Sequence, residues 1–114
     1  TALAFIDNHY AFDRGDVLFK PTFTKEIIFR NSIEQALSYF VGGMVAEDNG
    51  FALRTWEKID LIQVSTIESI GAAMGLLNFK PVGSDTKTKV AFTFILDSSE
   101  TILKIRVHHS SPIL

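Results

Sequence analysis

At 114 residues, with 46% apolar and 21% charged residues, the chain has the length and balance of one globular domain. A net charge of −2 and the lack of any basic run exclude an electrostatic footprint for nucleic acid. Without cysteine there is no disulfide, thiolate nucleophile or cysteine-based zinc site, and no apolar run approaches the ~20 residues that span a bilayer.

Residues 2–12 carry Leu3, Phe5, Ile6 and Tyr10 on one side and Asp7 and Asn8 on the other, which predicts an amphipathic helix. Arg14-Gly15-Asp16 breaks it, with Gly15 as the expected cap. Val17-Leu18-Phe19 is a short apolar run stopped by Lys20-Pro21-Thr22, and Glu26 to Phe29 has the β-branched content of another short strand. Asn31-Ser32 offers an N-cap to a second helix through Ile33, Ala36, Leu37 and Phe40, ended by Gly42-Gly43. Glu47-Asp48-Asn49-Gly50 is a turn. Beyond it the period changes. Extended runs are expected over 51–56, 58–64 and 72–79, then a hairpin of Lys89–Leu96 and Thr101–Val107 around Asp97-Ser98-Ser99-Glu100.

Helices first and strands afterwards define an α+β domain, with helices on one face of a mostly antiparallel sheet. The whole of 1–114 reads as one domain, without repeat or linker. The start lacks a basic region ahead of an apolar one, so it is no signal peptide. A cytoplasmic location is favoured, with a processed, secreted or periplasmic chain as the alternative.

Alternation along the last run puts Leu103, Ile105, Val107 and His109 on one side and Lys104, Arg106 and His108 on the other. His109 is therefore expected inside, as an acid, base or ligand anchor, against the alternative of a core histidine with both nitrogens satisfied. Adjacent strand residues face opposite ways, so a metal held by His108 and His109 is disfavoured; no metal and no cofactor are expected. Asp48 is a candidate base beside an apolar pocket, against plain turn chemistry. Lys20 and Arg30 are cations for an anionic ligand. Tyr39 and Trp56 combine an apolar body with a polar tip, and Phe92 and Phe94 share the buried side of their strand. Ser110 and Ser111 follow histidines, but without a Gly-x-Ser-x-Gly elbow they form no hydrolase motif.

The order of elements resembles the NTF2-like (SnoaL-like) superfamily, which includes ketosteroid isomerase and scytalone dehydratase. Val17-Leu18-Phe19-Lys20-Pro21-Thr22, Ala36–Gly43, Glu47–Ala52 with Trp56, Ala73-Met74-Gly75 and His108-His109-Ser110-Ser111 are similar to a bacterial subgroup without a settled activity. The resemblance implies a cone in which a strongly bent sheet wraps the helices, and it implies a missing upstream helix. It transfers no catalytic residue. The expected function is binding of a small apolar or aromatic ligand in the cone, through Tyr39, Trp56, Phe92, Phe94, His109 and Lys20. The alternatives are an acid/base enzyme (isomerase, dehydratase or cyclase) using His109 with Asp48 or Tyr39, and an oligomerisation domain with an incidental cavity. The mixed outward row Ala91, Thr93, Ile95 and Ile102 predicts a homodimer through the sheet.

Overall fold

The computed structural model describes residues 1–51, 56–83 and 85–113; for Trp56 and Glu57 it describes the backbone alone. Helix α1 spans Ala2–His9, capped by the Thr1 hydroxyl accepting from Ala4 N at 3.1 Å. It ends before the expected residue 12 because Tyr10 turns extended and bridges Ile105. A 3₁₀ turn over Ala11–Arg14 then closes at Gly15, whose φ of +133° suits glycine. Strand β1 is Leu18–Lys20. No strand forms over 26–29. The amides of Lys25, Glu26 and Ile27 donate instead to the Glu47 carboxylate at 2.7–2.9 Å, which leaves them nothing to offer a sheet neighbour. Helix α2 spans Ile33–Val41, with Ser32 accepting from Gln35 N and Gly42 at its end. Its buried residues are Ala36, Ser38 and Tyr39.

The remaining strands are β2 (Trp56–Ile67), β3 (Ala72–Pro81), β4 (Thr88–Asp97) and β5 (Lys104–Pro112). They form one sheet in the order β1-β5-β4-β3-β2. The β1–β5 pair is parallel and the others are antiparallel, so the domain is α+β with a mixed sheet. Ile6, Tyr10, Ala11, Val17, Phe19 and Ala36 form the core where α1, α2 and β1 meet. Among the described residues, no helix is long and apolar enough to cross a membrane.

Two local features decide which side chains face the core. Ile95 pairs with Val107 but Leu96 pairs with Ile105, so β5 carries one extra residue, Arg106, at a bulge. The bulge breaks strict alternation and puts Ile105 and His108 on the same side. The expected assignment of the two histidines is thereby reversed: His108 turns inward beside Phe94, and His109 is exposed beside Thr93. The strand also starts at Lys104 and runs on to Pro112, so both histidines sit inside it rather than at its end. The second feature is Gly75. A Cβ built there would collide with the Gln63 carbonyl and lie 2.6 Å from the Phe92 ring. Only a residue without a side chain lets β2 and Phe92 approach β3 so closely.

Candidate functional site

A cavity of about 120 Å³ lies between the sheet and α2. Its walls are apolar, built from Phe19, Phe40, Leu77, Val90, Phe92 and Phe94 among others, and its polar groups are Thr22, Tyr39, His108 and Ser110. The polar groups arrive from three elements of the fold. Thr22 follows β1 after Pro21, whose ring cannot extend the strand. Tyr39 comes from the buried side of α2. His108 and Ser110 are two apart on β5 and therefore share its inner side.

The polar groups are wired to one another and to their surroundings. The Tyr10 hydroxyl lies 2.8 Å from His108 Nδ1, and His108 Nε2 lies 2.7 Å from Ser110 Oγ. The imidazole is bracketed by Phe19 and Phe94, with ring centroids at 5.0 and 4.4 Å. The Tyr39 oxygen accepts from Phe23 N at 3.2 Å and engages the Thr22 side chain. Burial, helped by the charge that His109 would carry, pushes His108 down to about 4. Burial also pushes the Tyr39 phenol up to about 12, against its hydrogen bonds to Phe23 and Thr22. At neutral pH the site therefore holds no charge of its own, which suits a small uncharged molecule entering an apolar space.

The structure brings Tyr39, Phe92 and Phe94 together at this cavity. It does not bring His109, Lys20 or Asp48 there. His109 and Lys20 pair across β1 and β5 on the outer side of the sheet, in a groove with Leu18, Phe29, Asn31 and Val107. The Lys20 ammonium is spent on the carbonyls of Thr22 and Ser110, at 3.3 and 2.8 Å, and burial lowers its pKa. Asp48 is locked in a bidentate pair with Arg30 at 2.6 and 2.7 Å and also accepts from Ser38. Those three hydrogen bonds fix the carboxylate in the Arg30 pair, outside the cavity's lining. Arg30, expected as a ligand cation, is wholly buried as that pair's other half. The Trp56 side chain falls outside the described residues. Among the described residues, no three of His, Cys, Asp and Glu gather as metal ligands would.

The sequence reading missed Thr22, Ser110 and the inward turn of His108. The pair His108 and Ser110 carried a signal, since residues two apart on a regular stretch of strand share a side. Tyr10 carried none, because its contact with His108 spans 98 residues of chain.

The cavity thus combines four hydroxyl or imidazole groups with a lining of aromatic rings and aliphatic side chains. Residues 1–112 match the family described as MICAH, metal-independent carbonic anhydrase, and the chain belongs to that family. It is 35% identical over 112 residues to a protein of Nostoc sp. strain PCC 7120 named metal-independent carbonic anhydrase, covering 93% of this chain and 54% of that relative. The chain thus spans about half the length of the relative it matches. The family replaces the NTF2-like reading. That reading rested on the order of helices and strands, which many unrelated α+β domains share, and on short segments such as Ala73-Met74-Gly75 and His108–Ser111, whereas the family match extends over residues 1–112.

The expected binding of an aromatic ligand is corrected with it. A cavity of about 120 Å³ falls below the ~300–1,000 Å³ of pockets that take drug-sized ligands. The alternatives of an isomerase, dehydratase or cyclase type enzyme and of an oligomerisation domain gain no support from the family either.

Proposed function

We propose that the cavity hydrates carbon dioxide to bicarbonate. The observation that carries this reading is the convergence of Thr22, Tyr39, His108 and Ser110 in an otherwise apolar cavity of matching size, in a chain of this family. Carbon dioxide is uncharged and apolar overall, so the ring-lined part of the cavity accepts it without desolvating an ion. Water attacks its carbon. A C–O bond forms, one C=O electron pair moves onto oxygen, and the water's proton leaves to solvent, giving bicarbonate. Negative charge grows on oxygen during the attack. The hydroxyl of Ser110, and whichever of Thr22 and Tyr39 does not donate to the other, are donors already in place for it, in a site that needs little reorganisation.

The test is initial-rate hydration of carbon dioxide by the chain dialysed against chelator, followed with a pH indicator. Ser110→Ala is expected to lose about 100-fold, the effect of removing one donor to a developing oxyanion. A rate no better than buffer, or one that appears only when zinc is added, would sink the proposal.

We also propose that a second copy covers the outer side of the sheet, where Met74 and Ile95 remain 61% and 37% exposed. Exposed Leu61, Ile62, Val64 and Ile67 along the edge strand β2 support it.

A further inference from the structure

Tyr10 lies behind the cavity rather than in its lining, yet its hydroxyl ends on the imidazole that does line it. The residue is 3% exposed and held from both sides, its N–H bonded to Ile6 O at 2.9 Å and its backbone bridged to Ile105. Two proton arrangements fit the chain Tyr10–His108–Ser110. In the first, the phenol donates to Nδ1 and Nε2–H donates to Ser110 Oγ. In the second, Nδ1–H donates to the phenol and the Ser110 hydroxyl donates to Nε2. The second strands the phenolic proton among Phe12, Phe19 and the rest of the core, where no other hydrogen bond to this hydroxyl is found among the described residues. A buried donor without an acceptor is the costlier state, so the first arrangement wins.

We propose that Tyr10 is a positioning residue that holds His108 in its Nε2–H tautomer, so that the imidazole donates to Ser110 and leaves the Ser110 proton free for the cavity. His108 then acts as a donor that sets the serine hydroxyl, not as the base that strips it. Burial is consistent with this: it holds the Tyr10 phenol well above its usual range, so the phenol keeps its proton, and His108 well below, so the imidazole carries a single N–H. Phe19 and Phe94 hinder the ring from turning over and exchanging its nitrogens. The catalytic consequence rests on the hydration reading above; the tautomer does not.

The tautomer is read directly by long-range ¹H–¹⁵N correlation spectra of histidine-labelled protein. His9→Gln with His109→Gln leaves His108 as the only imidazole. The expected spectrum at neutral pH has a protonated Nε2 and a bare Nδ1. Tyr10→Phe keeps the ring and removes the donor; it is expected to give a tautomer mixture and to lower hydration about tenfold, the loss of one hydrogen bond at the site. A protonated Nδ1 in the native chain overturns the proposal. So does a Tyr10→Phe variant with unchanged tautomer and rate. If Tyr10→Phe does not fold, the native spectrum decides alone. If the native chain hydrates no carbon dioxide, the functional reading falls and the spectrum still decides the tautomer.

Discussion

His108 shows how much a single side chain gains from its surroundings. Free histidine titrates near ~6.5, whereas burial holds this one near 4. A depressed histidine binds fewer protons folded than unfolded, so stability is full above the unfolded value and is lost as pH falls from ~6.5 towards 4. The loss reaches about 3 kcal/mol at ~1.4 kcal/mol per pH unit. Thermal unfolding of native protein is expected to show this slope across that window, and His108→Gln is expected to flatten it; parallel curves would refute the assignment. Arg30 is a residue of the opposite kind. Wholly buried, it also takes the carbonyl of Ile27 through Nε at 2.8 Å, besides gripping Asp48. Arg30→Met should cost about 3–5 kcal/mol in denaturant titration, because Asp48 is left buried and charged with only the Ser38 hydroxyl for a partner. A loss under 1 kcal/mol would mean that solvent reaches the pair.

Among the elements, β3 is the most constrained, because Gly75 must lie under both the Gln63 carbonyl and the Phe92 ring. Gly75→Ala is expected to destabilise by about 1–3 kcal/mol, the usual cost of overpacking, and to displace Phe92 from the cavity wall. Equal chemical denaturation midpoints for the two proteins would contradict that packing. Strand β5 illustrates a different dependence. Its bulge is held where Arg106 reaches Asp97 on β4 and the carbonyl of Asp16 at 2.6 Å ahead of β1. The charged row once expected in solvent is thus spent on ion pairs with the neighbouring segments, Lys104 reaching Asp13 in the same way. The loop over 25–27 is likewise shaped from outside, by the Glu47 carboxylate.

At the scale of the molecule, the sheet is two-sided in character. Its inner side carries the helices and the cavity, and its outer side keeps Met74, Ile95 and the flank of β2 in solvent. If a second copy covers that side, Ile95→Glu is expected to convert a dimer to a monomer in gel filtration with light scattering, with the cavity's activity retained. A native chain that is monomeric at micromolar concentration would dispose of the dimer. The relative's greater length allows another cover, a further part of a longer chain, and the same measurement separates the two.

The sequence by itself determined the class of fold and most of its pieces. Both helices and the late long strands follow from caps, glycines and periodicity, which are local signals, while the turn expected at 47–50 falls earlier, with Asp48 N donating to Val45 O. Tyr39, Phe92 and Phe94 reached the cavity for the same reason, since helical and strand spacing decide their side. Tertiary structure decided the rest. One inserted residue at Arg106 exchanged the sides of His108 and His109, and strand alternation does not announce a bulge whose side chain bonds Asp97 and the Asp16 carbonyl. The meeting of Tyr10 with His108, and of Thr22 with Tyr39, joins separate elements, so the chemistry of the site was written in contacts that sequence spacing does not encode.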